Sequence, residues 1–476
     1  MTRSTRDNRL TPEEMFAFAR SFSRNEDGTI TIFACFMVIM MMMIGGIGAD
    51  MMRHEMERTR IQAVADRAVL AAADLDQTLD AEFVVRDYFE KSGMAEFVSA
   101  VNVDQGLNFK TVSVDASTDI NTQFMDWLGH DTLRVPALSE AEEKINKVEI
   151  SLVLDISGSM DDNQKLVNMQ NAANTFVDTV LTPGNLDLIS VSMIPYSEHV
   201  NAGPQLFNKF NVSSDHDFSY CMEIPDAEFN NVRMNRSIWY DQMQHFQWNT
   251  YSIESGNQQN TRHDTVCPHE EYEEILPFSQ NPVELKSQIN SLQPRAGTSI
   301  FLGMKWGAAM LDPDFNTITN QLHSEGTVDS AFSVRPAAYT DEETLKTVIL
   351  MTDGQNSNSS RIAERYYNSA SEIVHWSNFN FNYWLGRNVS YYRRSSYYDS
   401  KYTPSSGDSL LYNICDAAKE KNIIIWSIGF EVTDHGADVM RNCASSPSHF
   451  FRVEGVEITE AFSSIARQIN QLRLTQ

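Results

Sequence analysis

A chain of 476 residues is long enough for two or three domains and a large core, and its formal net charge of −27 argues against nucleic acid as a partner. Five cysteines with no CxxC pair exclude thioredoxin-like and zinc-ribbon chemistry. No GxSxG elbow, HExxH helix or P-loop is present, so the common hydrolase and nucleotide-binding signatures are missing.

Residues 1–29 are polar. Thr11, Pro12 and Glu14 read as the cap, first turn and capping box of a short amphipathic helix ending near Phe22, either a membrane-surface or partner helix or a solvated tail. Residues 30–49, ITIFACFMVIMMMMIGGIGA, hold no charge over twenty positions, the length that crosses a bilayer core. A cleaved signal peptide fits poorly, because the segment is too long, starts too far in and runs directly into a helical continuation. Arg20 and Arg24 precede it and Arg53, Arg58 and Arg60 follow it, so the flanking charge does not decide orientation. The N-terminus is expected in the cytoplasm, because a long acidic domain with four cysteines suits the outside. Ile61, Val64, Ala65, Ala68, Ala72 and Leu75 then recur at helical spacing, which predicts one long helix leaving the membrane. Within 50–146 a small β segment follows: FKTVSV at 109–114 alternates like a strand, and 121–128 suits a short helix.

From 147 onward strands and helices alternate. VEISLVLD at 148–155 is a buried strand without Gly or Pro, and LKTVILMTD at 345–353 is another. Helices are predicted at 166–181, 283–292, 299–311, 408–421, 437–442 and 458–474, with further strands at 188–194, 423–430 and 450–453. The fold class is α/β, a doubly wound parallel sheet interrupted at about 201–278 and 356–406. The first strand ends in Asp155-Ile156-Ser157-Gly158-Ser159, which sets a carboxylate and two hydroxyls on a strand-to-helix turn. PRAGT at 294–298 can bring Thr298 to the same sheet edge, and the second buried strand ends in Asp353. Oxygen-only ligation suits Mg²⁺, Mn²⁺ or Ca²⁺. The bland alternative is a polar turn capped by Asp155.

This ordered set resembles the metal-ion-dependent adhesion site of von Willebrand factor A (vWA) domains. The resemblance covers 147–476 apart from the insertions and implies a Rossmann-like fold. It also implies a divalent metal, Mg²⁺ first and Mn²⁺ or Ca²⁺ second, held by Asp155, Ser157, Ser159, Thr298 and Asp353. In such domains the open coordination position takes a carboxylate from a protein partner. The two serines are expected to bind directly, with Asp155, Asp353 or Thr298 acting in part through water. Asp155→Ala is expected to abolish metal-dependent partner binding and, by removing only a rim charge, to leave the fold largely intact.

The stretch GTITIFACFMVIMMMMIGGIGADMMR, followed by RTRIQAVADRAVLAAA, resembles the N-terminal region of TadG-type proteins of the Tad (Flp pilus) assembly systems. Such regions look like pilins, yet type IV-like prepilins place Glu at the fifth residue after the cleavage Gly. Here that residue after Gly28 is Phe33, so cleavage is not expected and the anchor stays. The implied protein is single-pass in a bacterial inner membrane. Residues 1–29 would be cytoplasmic, 30–49 would span, 50–146 would form a pilin-like stalk and 147–476 would lie outside. Its partners would be pilus-assembly components or the envelope surface. The alternatives are a metal-dependent envelope hydrolase, or a structural envelope protein whose site is empty.

Cys35 lies in the apolar segment. Cys221 is expected to pair with Cys267 inside the first insertion, and Cys415 with Cys443 between neighbouring elements, against the alternative of four buried thiols. His263, Asp264, Cys267, His269 and Glu270 could mimic a zinc cluster, but Cys267 is better used in a disulfide. The second insertion is dense in aromatics, among them Trp376, Phe381, Trp384, Tyr391, Tyr392, Tyr397 and Tyr398. They form either a recognition surface beside the metal site or a packed appendage.

Overall fold

The computed structural model describes residues 29–475 except 75–76, 78, 106–108, 145–146, 249–263 and 342, together with residues 13, 16, 17, 20 and 21. Most of the helix expected at 11–22, along with Gly28 and His263, lies outside the described residues. Two compact units follow one another along the chain, Met1–Lys144 and Ile145–Gln476.

The first unit is built on α1, Thr29–Ala73, a single unbroken helix of 45 residues. Its opening turns present Ile30, Phe33, Phe36, Met41 and Ile44 outward, and the helix is long and apolar enough to cross a membrane. Past Asp50 the pattern becomes one-sided. Ile61, Ala65, Ala68, Val69 and Ala72 are buried, and their small side chains let other elements approach closely. Those elements are α2 (Ala81–Lys91) and the antiparallel strands β1 (Val98–Gln105), β2 (Phe109–Asn121) and β3 (Thr132–Lys144), in the order β1-β2-β3. In β2 the residues Lys110, Val112, Val114 and Ala116 point to the core in strict alternation, as a sheet with one wet face requires. The expected strand at 109–114 is therefore present and longer. The expected helix at 121–128 is a 3₁₀ turn, Met125–Leu128.

The second unit is an α/β layer structure around six strands. These are β4 (Lys147–Asp155), β5 (Ile189–Tyr196), β6 (Leu276–Ser279), β7 (Thr344–Thr352), β8 (Ile424–Phe430) and β9 (Phe450–Val453), in the order β9-β8-β7-β4-β5-β6. Val148, Ile150, Leu152 and Leu154 of β4 face one helical layer: α3 (Lys165–Val180), α4 (Pro282–Ser291) and α8 (Glu457–Thr475). Val153 and β7's Val348 and Leu350 face the other layer: α5 (Ile300–Ala309), α6 (Pro404–Glu420) and α7 (Asp434–Cys443). Burial on both faces explains why apolar residues stand on both sides of β4 and β7, as in Leu152–Leu154 and Val348–Met351.

The expectation of a wholly parallel sheet fails at one edge. β4, β5, β7, β8 and β9 pair in parallel, but β6 runs antiparallel to β5. The first insertion keeps the chain at the end of the sheet where β5 finishes, as the bridge between Asn201 and Glu274 shows. Among the described residues of the insertion no helix carries the chain back across the sheet, and β6 enters from that same end and runs the other way.

Both disulfides form as expected. Cys221 joins Cys267 and Cys415 joins Cys443, with Cα separations of 5.9 and 5.2 Å. The two insertions also pack on each other. Phe246, Val266, Ile362, Trp376, Phe381 and Leu385 share a small core with the first disulfide. Trp248 stacks on Phe381 at 5.4 Å and meets Tyr398 edge-on at 4.9 Å. Much of the aromatic stretch thus serves the packed-appendage alternative, while Tyr391 and Tyr392 stay exposed at 77% and 93%.

Candidate metal centre

Asp155 is the last residue of β4, and Asp353 follows directly on β7, its sheet neighbour. The chain leaves β4 toward β5 on one side and returns to β7 on the other. The site therefore lies at the carboxyl ends of strands where the order reverses, the usual ligand position in such sheets. The turn after β4 delivers Ser157 and Ser159. Their hydroxyls are 3.2 Å apart, and Asp353 Oδ1 lies 2.7 Å from Ser159 Oγ and 3.5 Å from Ser157 Oγ. Neighbouring oxygens in an octahedral shell with bonds of about 2.1 Å stand about 3 Å apart, so this triangle matches one face of such a shell. The residues present therefore fit a small hard cation. Among the described residues no group of three or more His, Cys, Asp and Glu side chains is arranged for a metal, and Cys267 is taken up by its disulfide with Cys221.

Asp155 has a different position from the one expected. It is fully buried, not at the rim. Its Oδ1 accepts the Ser157 backbone N–H at 2.7 Å, and its Oδ2 accepts the Thr352 hydroxyl at 2.7 Å and the Tyr196 hydroxyl at 3.3 Å. Burial, reinforced by the Asp353 carboxylate, pushes it up to about 7. Asp155 thus sets the shape of the serine turn, and removing it strands the Ser157 N–H and the Thr352 hydroxyl, while the Tyr196 hydroxyl keeps the Met351 carbonyl at 3.0 Å. The expectation that Asp155→Ala leaves the fold largely intact is corrected accordingly.

Thr298 is nine-tenths buried on the 294–298 loop, and among the described residues its hydroxyl bonds to none of the other four. The loop itself is tied to the site. Arg295 N donates to Ile156 O at 2.8 Å, Gly158 N donates to Ala296 O at 3.0 Å, and Ser357 Oγ accepts Thr298 N at 2.8 Å. Gly297 is required here, since a Cβ would stand 2.6 Å from Ser357 Oγ. The Arg295 guanidinium is buried and donates to Glu273 and, at 2.7 Å, to Thr265 Oγ1, which couples this loop to the first insertion. Asn356 caps α5 through Ile300 N at 2.8 Å and reaches Asp408 at 2.9 Å.

The residue most clearly missed by sequence reasoning is Lys165. Its ammonium lies 3.0 Å from Asp353 Oδ2, and both side chains are nearly inaccessible. It is the first residue of α3, ten positions beyond Asp155. A lone cation so soon after an acidic turn was the available signal.

The family model for Flp pilus-assembly TadE/G-like proteins matches residues 28–75. No curated protein matches the chain. Among solved structures, the vWF domain of the type V pili tip protein Mfa5 from Porphyromonas gingivalis is 14% identical with a TM-score of 0.36, the alignment covering 70% of this chain and 97% of that one. The pilus adhesin SpaC from Lactobacillus rhamnosus GG is 13% identical with a TM-score of 0.33, over 79% of this chain and 34% of SpaC. The PilB minor pilin from Streptococcus sanguinis is 12% identical with a TM-score of 0.32, over 78% and 77% of the two chains. Residues 28–75, the apolar helix and its amphipathic continuation, are thus similar to the TadE/G-like segment of Flp pilus assembly, and they belong to the first unit, ahead of the α/β unit.

Proposed function

We propose that the chain is a membrane-anchored binding protein of Flp pilus assembly. Its second unit would be a vWA-type domain that grips a partner carboxylate through a divalent cation. The observation that carries the reading is the oxygen triangle of Ser157, Ser159 and Asp353 at the carboxyl edge of β4 and β7. Ser157, Ser159 and Asp353 would hold the cation, Asp155 would act from behind the turn, and Thr298 would contribute from its loop. With a single carboxylate in direct reach the cation keeps its attraction for an incoming Glu or Asp. Mg²⁺ is the first candidate and Mn²⁺ or Ca²⁺ the second. The activity is binding rather than turnover, since Asp155 is buried and committed to the Ser157 N–H and the Thr352 hydroxyl. The TadE/G-like match supports an envelope setting, and the two disulfides support a second unit outside the cytoplasmic membrane with the N-terminus inside.

Calorimetry with Mg²⁺, Mn²⁺ and Ca²⁺ tests the site. Ser159→Ala is expected to weaken the bound ion about tenfold or more, because a direct oxygen is lost. Capture of pilus components from membranes is expected to stop when a chelator is added. Heat-free titrations, or capture indifferent to the chelator, would leave the second unit as a scaffold only. Phosphate-ester hydrolysis dependent on Mg²⁺ or Mn²⁺ and lost in Ser159→Ala would instead support the hydrolase alternative.

A further inference from the structure

The first unit carries a second candidate for membrane contact, formed by the loop between β2 and β3. Along α1 the sheet can be followed by its anchors. Lys110 bonds the Asp74 carbonyl at 3.0 Å, Gln62 bonds the Leu138 carbonyl at 2.9 Å, and His54 Nε2 stands 3.1 Å from the Arg134 carbonyl. The β2–β3 end of the sheet therefore points back along the helix toward the apolar run. There Asp50, nearly inaccessible, accepts the backbone N–H groups of Gln123, Phe124 and Met125 at 3.0, 2.7 and 2.9 Å. The loop base is closed by Thr122, whose N–H and hydroxyl bond the carbonyls of Asp131 and His130 at 3.0 and 2.5 Å. One turn further into the apolar run, the Phe124 ring lies so close to Gly46 that a Cβ there would meet it at 2.4 Å. Gly46 and Asp50 are buried and Met43 and Ile47 half-buried, one helical face, while the rest of the run is exposed.

The loop's own tip is apolar and uncovered. Trp127 is 76% exposed, Leu128 49% and Phe124 40%. Gly46 stands three residues inside the end of the 30–49 run, about 4.5 Å along the axis. That depth is the boundary between hydrocarbon and headgroups, where Trp is enriched because its ring is apolar and its N–H polar. We infer that the 123–128 turn is a membrane-interface foot, clamped to the anchor helix by Asp50, that seats Trp127 and Leu128 at the hydrocarbon–headgroup boundary of the bilayer that α1 crosses. The occupant is the neutral lipid interface. Asp126 and Asp131 on the same loop make it a poor match for anionic headgroups. The inference rests on α1 being a membrane anchor.

The test uses the full chain, disulfides intact, in phosphatidylcholine vesicles. Cys35, a free thiol inside the apolar run, takes an environment-sensitive fluorophore directly. In a Cys35→Ser background the same probe is placed at Trp127→Cys and, as a distant control, at Asp104→Cys on β1. Spin-labelled lipids bearing the nitroxide near the headgroup are expected to quench the 127 probe about twofold or more, and to leave the 104 probe unaffected. Aqueous iodide should quench the 104 probe and spare the 127 probe. Adding Asp50→Ala should return the 127 probe to iodide. Quenching at Cys35 together with full iodide access at 127 overturns the foot and leaves the anchor standing. Protection of 127 from both iodide and lipid nitroxide means a protein covers it, which also overturns the foot. If lipid nitroxides fail to reach Cys35, the anchor and the foot fall together.

Discussion

Replacing Lys165 by Met probes the candidate site from its least expected side. The ammonium stands 3.0 Å from Asp353 Oδ2 in a pocket where both side chains are nearly inaccessible. At an effective dielectric constant of about 20 this pair attracts with about 5.5 kcal/mol before desolvation is subtracted. Met fills the space of the aliphatic stem and removes the charge. Asp353 is then left buried beside Asp155 with hydroxyl partners only, which lowers stability without metal by about 3–5 kcal/mol. A bound cation restores the missing positive charge and no longer competes with Lys165 for the same carboxylate. Lys165→Met is therefore expected to bind Mg²⁺ about 10–100-fold more tightly than the parent, which is about 1.4–2.8 kcal/mol. Calorimetry gives the affinity, and thermal unfolding with and without Mg²⁺ gives a metal-induced rise larger than the parent's. A variant that loses thermal stability as described but binds Mg²⁺ no better than the parent would refute the competition. Lys165 would then be a fixed part of the site's architecture.

Gly307→Ala is expected to destabilise the second unit by about 1–3 kcal/mol, because the new methyl would meet Val153 Cγ2 at 2.5 Å where α5 crosses the sheet; thermal unfolding reads this. Removing the Cys415–Cys443 bridge, which closes 28 residues, should cost about 3–4 kcal/mol in denaturant titrations, while free thiols in oxidised native protein would contradict the pairing. Acid should unfold the second unit through His199, which is wholly buried and held by desolvation at about 4, the Glu223 carboxylate offsetting only part of that effect. Its folded value lies below that of the unfolded chain, so the unfolded state takes up protons first as pH falls from about 6.5 to 4. Roughly 3 kcal/mol of stability is lost across that window. Glu223 is half-buried, and against the desolvation that would raise it Arg361 and His199 hold it at about 2, so its contribution is intact above about 4.5 and is lost as pH falls toward 2. A His199→Phe variant with the same acid midpoint as the parent would remove His199 from this account.

What the sequence made legible follows burial geometry. β4 and β7 lie between two helical layers, so nearly every residue is buried and the apolar stretches Leu152–Leu154 and Val348–Met351 stand out. The strands of the first unit have one wet face. β3 reads TLRVPALSEAEEK, in which Val135 and Ala137 are buried among charged neighbours, and such a stretch looks like a polar linker. β6 is four residues at the tail of an acidic insertion, too short for any periodicity. At the site the two serines and Asp353 come together as their order suggested. The depth of Asp155 could not be read, because it depends on Thr352 and Tyr196, which reach it only when β4, β5 and β7 lie side by side. The aromatic insertion reads alike whether packed or exposed. Its partner rings, Phe246 and Trp248, lie more than a hundred residues upstream.

The continuity of α1 has a mechanical consequence. The same backbone rod that runs through the apolar segment supplies Ile61, Ala65, Ala68 and Ala72 to the core of the first unit, with no linker between the apolar run and the fold. A pull on that unit is carried to the apolar run along helical hydrogen bonds instead of being absorbed by slack chain. The weakest stretch of such a rod is Gly45-Gly46-Ile47-Gly48, where each glycine costs about 1 kcal/mol of helix stability relative to alanine. The Phe124 ring lies against Gly46 and the Asp50 clamp follows one turn later, so the β2–β3 loop splints the helix at the place where tension would first draw it out.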